Sequence, residues 1–267
     1  METLDSKPSE TATDDAGPRR PSRRSMLGNV AMGAFLATAA GAAPLAARAS
    51  SVPHTASDFD ILNFALNLEY LEAEFYNFSV YGKTIAQMGI PITGRGERGL
   101  TTGGVQTKFN NRITYGVAEE LATDERDHVL FLRSVLASDS VAKPAINLAA
   151  LGMTEEMSKF LVLARAFEDT GVSAYGGAAP LIDSKDVLGY AARILATEAY
   201  HAGNIRLMIA QFGLPTTRTD GQDVLPPPSG RQYFTTVGQA LAVVRTPAEV
   251  LAIVRPFFPH GLNGAIK

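Results

Sequence analysis

Cysteine is absent from the 267-residue chain, which excludes disulfide bonds, thiolate metal ligands and cysteine nucleophiles together. Histidine is scarce, with four copies, so any imidazole chemistry must rest on a few identifiable side chains. Beyond residue 49 there is no apolar run long enough to span a bilayer, and no basic patch of the kind that binds nucleic acid. Residues 50–267 hold 18 Lys and Arg against 22 Asp and Glu, a net charge of −4. These 218 residues suffice for one domain with a substantial core, held together by packing or by metal.

The first 49 residues have a different character. A polar stretch ends in Ser22-Arg23-Arg24-Ser25-Met26-Leu27, an Ala/Gly-rich and mildly apolar run follows, and Ala47-Arg48-Ala49 offers a small-residue cleavage site. The pattern looks like a twin-arginine export signal, with Gly28 where a lysine is common. Residues 26–47 are long enough for a membrane anchor but only weakly hydrophobic, so cleavage is expected to leave no stable anchor. The expected location is periplasmic or secreted, with the twin-arginine machinery as a partner.

The remainder reads as long helices with strong punctuation. Ser57 or Asp58 can cap a first helix that Gly82 stops near Tyr81. A second is expected from about Asn110 to Leu136. A third is expected from a cap at Thr154 to Gly176 and Gly177, and a fourth from Asp183 or Ser184 to Gly213 and Pro215. Such helices would each be about 36 to 43 Å long, the proportions of a bundle. Helices three and four are joined by a few residues and must be antiparallel neighbours, whereas the connection containing Lys143 and Pro144 can run the bundle's length. Residues 82–109 carry seven glycines and read as an insertion, either a lid or a surface excursion. Residues 214–267 read as an irregular extension that packs on the bundle. They include Pro226-Pro227-Pro228 and a short helix opened by the capping box Thr246-Pro247-Ala248-Glu249.

Two of the four histidines follow a glutamate by three residues, as Glu125-x-x-His128 and Glu198-x-x-His201. On a helix this spacing points a carboxylate and an imidazole from one face toward a common point. The flanking residues are apolar at helical spacing, Val117, Leu121, Leu132 and Val135 around the first and Ala191, Ile194, Ala202 and Ile205 around the second. Both motifs should therefore face a core, where an unpartnered charge is costly and a metal ion supplies the partner. The first and third helices each offer one more carboxylate on an apolar stripe, Glu69 and Glu168, and each is followed seven residues later by a tyrosine, Tyr76 and Tyr175. Glu72 competes with Glu69 as the first-helix donor, and Tyr76 favours Glu69.

The resulting set is Glu69, Glu125, His128, Glu168, Glu198 and His201. Its four negative charges match two divalent ions, and its oxygen-rich donors suit iron or manganese. Tyr76 and Tyr175 are candidate catalytic residues, as electron or proton relays or as partners of the ligand carboxylates; amphipathic core filling is the simpler alternative. Asp124 can orient a histidine from outside the ligand set, although a surface role is the simpler expectation. Asp169 is expected to point away from the site into solvent. His54 and His260 lie outside the four helices and lack the glutamate spacing.

The segments NFALNLEYLEAEFY, ATDERDHVLFLRSVL, FEDTGVSAYGGAAP and ILATEAYHAGNIRLMIA resemble the ferritin-like domain family that includes plant desiccation-related proteins and exported bacterial relatives. The likeness spans about residues 57–212 and, more distantly, extends to rubrerythrin, bacterioferritin and manganese catalase. It implies an all-α, ferritin-like four-helix bundle with a dinuclear metal centre at the six positions. Three functions are compatible: an oxidoreductase acting on oxygen or peroxide, iron handling or storage in a homo-oligomeric shell, and a stress-protective protein in which metal braces the fold.

Overall fold

A computed structural model describes residues 56–267; the expected export signal at residues 1–49, and His54, lie outside them. Four long helices dominate: α1 (Asp58–Tyr81), α2 (Arg112–Leu136), α3 (Met157–Ala178) and α4 (Lys185–Gln211). A short α5 (Pro247–Val254) follows in the tail. The fold is all-α and ferritin-like, with the long helices paired α1 on α2 and α3 on α4. No helix among the described residues is long and apolar enough to cross a membrane.

The helix starts follow local chemistry. Ser57 and Asp60 form a reciprocal capping box at α1, Asn111 accepts from the backbone N–H groups of Ile113 and Thr114 at α2, and Ser184 accepts from that of Val187 at α4. Asp58 also reaches across to accept from the backbone N–H groups of Asp183 and Ser184, both at 2.9 Å, so α1 and α4 begin at the same end. With α2 antiparallel to α1 and α3 antiparallel to α4, the link from α2 to α3 must return along the length of the bundle. Residues 137–156 do so.

This crossover is braced by the glycine-rich segment after α1. Strand β1 (Thr101–Thr102) pairs in parallel with β2 (Ile146–Asn147), and parallel bridges join Arg95 to Val141 and Lys108 to Glu156. The insertion thus lies along the crossover. Its backbone tie at Glu155 and Glu156 also explains why α3 starts later than expected. Glu156 holds the cap position without a side-chain bond, while Thr154 Oγ1 accepts from the Glu156 N–H in the turn before it.

α1 is buried on nearly every side. Along it the polar residues Asn63, Asn67, Glu69, Glu72, Glu74, Asn77 and Ser79 are covered as completely as Leu66 or Phe75. Such a helix is stable only if its polar groups find partners. Asn63 donates to the Asp139 carbonyl and accepts from the Val141 N–H, and Asn77 donates to the Lys83 carbonyl while accepting from Arg126. Asn263, from the tail, bonds Asn67 of α1, Glu97 of the insertion and Ala142 of the crossover. Below the polar zone, Phe75 stacks on Phe160 at 5.5 Å and meets Phe167 edge-on at 4.9 Å.

The tail is fixed by buried ion pairs, which corrects the expectation for Asp169. That carboxylate is buried, bonded by Arg206 at 2.7 Å, by Arg165 at 3.3 Å and by the Thr235 hydroxyl at 2.8 Å. Arg165 also grips Asp223, while Arg206 reaches the carbonyls of Val224, Gln232 and Tyr233. Arg245 pairs with Asp220 and bonds the Ser173 hydroxyl and carbonyl. The side of α3 opposite the centre is therefore covered by residues 217–245, and solvent is displaced. α3 ends at Ala178, beside Gly176 and Gly177 as expected. A Cβ at Gly177 would stand 2.0 Å from the Arg245 carbonyl oxygen, so this glycine also admits the tail's backbone.

Two outcomes test this packing. Gly177→Ala should destabilise the fold by about 1–3 kcal/mol, whereas Gly189→Ala, at an exposed helical site with nothing near its Cβ, should stabilise it by roughly 0.5–1 kcal/mol. Asp169→Ala removes the carboxylate partner of buried Arg206 and should cost about 3–5 kcal/mol. Denaturant midpoints at constant slope would measure all three.

Candidate metal centre

All six predicted donors come together in the middle of the bundle, one or two from each helix. Glu69 comes from α1, Glu125 and His128 from α2, Glu168 from α3, and Glu198 and His201 from α4. They fall into two groups: Glu69, Glu125, His128 and Glu198, and Glu125, Glu168, Glu198 and His201. Within each group the donor atoms lie within 4.8 Å of one another, and Glu125 and Glu198 belong to both. The helical spacing of three residues places each Glu-x-x-His pair on the inward face, as their burial shows.

The distances are those of ligands around a common point. His128 Nδ1 is 3.2 Å from each of three carboxylate oxygens, Glu69 Oε2, Glu125 Oε2 and Glu198 Oε1. One ring nitrogen carries at most one hydrogen and cannot bond all three. His201 Nδ1 lies 3.1 Å from Glu125 Oε1 and 3.3 Å from Glu168 Oε2, yet neither contact has the direction of a hydrogen bond, and these three atoms and both oxygens of Glu198 are buried without a hydrogen-bond partner. Two ligands held at roughly 2.1 Å from a cation and at right angles to each other stand about 3 Å apart. The donor set fits a pair of divalent ions, with Glu125 presenting one oxygen to each histidine.

Outer contacts orient these donors. Tyr76 of α1 donates its hydroxyl to Glu168 Oε1 on α3, and Tyr175 of α3 donates to Glu69 Oε1 on α1, so each tyrosine secures the other half's carboxylate. Asp124 Oδ2 lies 3.1 Å from His201 Nε2; a proton on that nitrogen would leave the Nδ1 lone pair facing inward. This places Asp124 in a supporting role rather than on a plain surface. Thr197, its counterpart by sequence, bonds back to the Arg193 carbonyl of its own helix. Near His128 a cavity of about 260 Å³ opens between α2 and α4, lined also by Asp127, Phe131, Tyr190, Arg193 and Thr197. The cavity residues recur at helical spacing beside the motifs, a stripe that sequence inspection passes over. His260 is exposed in the tail, away from the centre.

The electrostatics express crowding of like charge. Burial pushes Glu69 up to about 7 and Glu168 upward, and it pushes Glu72 and Glu198 well above the carboxylate range, with Glu198 acting on Glu72 and Glu125 acting on Glu198. Burial acts upward on Glu125 too, but the adjacent imidazoles of His128 and His201 outweigh it and hold that group below its usual range. Burial opposes charge on the histidines, yet Glu168 and Glu125 push His201 up to about 12, and Glu69 with its neighbours raises His128. Burial, and the adjacent Glu168 or Glu69, keeps Tyr76 and Tyr175 protonated and able to donate. Left to themselves, these groups balance charge by binding protons where cations would serve.

Glu69 and Glu72, the alternatives on the first helix, are both buried at the centre. Glu69 belongs to a donor group and Glu72 to neither.

Sequence comparison agrees with this geometry. Over 171 residues the chain is 26% identical to the desiccation-related protein PCC13-62 of Craterostigma plantagineum, an alignment covering 57% of this chain and 53% of that one. The chain thus spans about half the length of that relative. Residues 57–211, which contain α1 to α4 and every donor described above, match the model of the ferritin-like domain. The chain belongs to the ferritin-like domain family.

Proposed function

We propose that the protein holds two divalent ions, iron or manganese, and acts as an oxidoreductase on oxygen or peroxide in the periplasm or outside the cell, after export by the twin-arginine route. The observation that carries the metal assignment is the set of buried, unpartnered donor atoms in two groups that share Glu125 and Glu198. Oxygen-rich donors with one imidazole per group suit these ions. When bound, such a pair supplies Lewis acidity and redox equivalents to a small oxidant.

The chain's own residues shape that chemistry. Glu125 spans the two groups and fixes their separation, while Tyr76 and Tyr175 hold the outer oxygens of Glu168 and Glu69 and leave the inner ones to bind. Each phenol also keeps a proton at its oxygen, beside a donor carboxylate, where it can be passed inward. The cavity over His128 is large enough for a diatomic or peroxide and leads to one group only. A stress-related ferritin-like protein fits the family and the desiccation-related relative, and it leaves a second reading in which the metal braces the fold without turnover.

Metal analysis of the purified protein should find two ions per chain, and Glu125→Ala should lose both, because that residue serves both groups. Retention of two ions by the variant would refute the shared-ligand reading. A chelator should lower the melting temperature of the loaded protein, by the equivalent of about 2.7 kcal/mol for each ion where free metal stood at 100 times its Kd. Tyr76→Phe should keep both ions yet slow peroxide or oxygen turnover by roughly 10²-fold or more. A loaded wild type inert to both oxidants, but still destabilised by the chelator, would favour the bracing reading.

A further inference from the structure

Glu72 is a buried carboxylate at the centre that the six-donor arrangement leaves unused. It stands one helical turn after Glu69 on the same face of α1. The equivalent position on α3, three residues after Glu168, is Gly171, so the two halves part company at this place. A Cβ built on Gly171 would lie 2.5 Å from Glu198 Oε2 and 3.4 Å from Glu72 Oε1. The carboxylates of α1 and α4 therefore converge on the bare backbone of α3, in space that any side chain would fill. Glu198 Oε2, which points into that space, is fully buried and has no hydrogen-bond partner.

We propose that Glu72 is a seventh protein donor, completing the ion position on the His128 side, and that Gly171 is glycine because the Glu198 carboxylate beside Glu72 needs the space a Cβ would take. This rests on the dinuclear reading above. The side is assigned by its neighbours. Glu69, on the same helix and one turn away, belongs to the His128 group alone, and Glu198, which shares the Gly171 cradle, serves both groups. A second asymmetry falls on the same side: His201 has Asp124 behind it, whereas the position corresponding to Asp124 is Thr197, and the region by His128 opens into the cavity. The His128 position thus combines the additional oxygen donor with the open approach. The His201 position has an imidazole supported by Asp124. An oxygen-richer position prefers the harder ion, so the two places should differ in affinity and coordination number.

Anaerobic titration with Co(II), followed by calorimetry and by the visible bands of the bound ion, tests this without reference to turnover. The wild type should bind two ions with distinct bands. Glu72→Gln removes the charge at constant shape, and Glu72→Asp keeps the charge but withdraws the oxygens by about one bond length. Both variants should weaken one position by roughly tenfold or more and alter its bands, leaving the other unchanged. Wild-type affinity and bands in both variants would overturn the proposal, leaving the six-donor centre intact. Loss in Glu72→Gln with wild-type behaviour in Glu72→Asp would also overturn it, because charge alone would then suffice. Failure of the wild type to bind Co(II) would overturn the dinuclear reading together with the proposal.

Discussion

Like charges packed into a space that excludes water set the terms for this molecule. At an effective dielectric of about 20, two carboxylates about 4 Å apart repel by roughly 4 kcal/mol, and here five of them share one site with two imidazoles. The bundle can hold such a group only with compensating positive charge. Protons on the histidines and on some acids provide it in part, and cations bound there would provide it more completely. The four helices, with their long return crossover, are the means by which distant parts of the chain deliver those groups to one point.

Around that point the two halves of the chain repeat a pattern and then depart from it. The pairs Glu69 with Tyr76 and Glu168 with Tyr175, seven residues apart, and the two Glu-x-x-His motifs stand in corresponding places in the two halves. The tyrosines exchange partners between α1 and α3, which ties the halves together through the donors themselves. The departures lie at Glu72 against Gly171 and at Asp124 against Thr197. The repeated pattern is therefore asymmetric at these two places.

Much of this was readable from the sequence because helical periodicity carries orientation. Glu125, His128, Glu198 and His201 announce their common face by spacing, and apolar neighbours announce that the face is inward. Glu69 and Glu72 could not be separated in this way, because residues three apart share a face and both are buried. Asp169 was misread for a different reason. A residue beside an inward donor normally meets solvent, but here Arg165, Arg206 and Thr235 arrive with a tail of irregular backbone whose path no periodicity encodes. The end of α3 beside Gly177 is legible in the sequence, whereas the approach of Arg245 to that glycine is long-range and is not. Thr154 was displaced as a cap by backbone ties between the insertion and the start of α3.

The adjacency of Glu168 and Asp169 has a mechanical meaning. Successive residues on α3 leave the helix on different sides, one engaged by Tyr76 beside the donors and the other clasped by two arginines beneath the tail. α3 is consequently pinned against rolling about its own axis, like a shaft keyed on opposite flanks. Any loosening of the outer key would give the inner one rotational play, so a disturbance of the tail would reach the donor geometry as torsion.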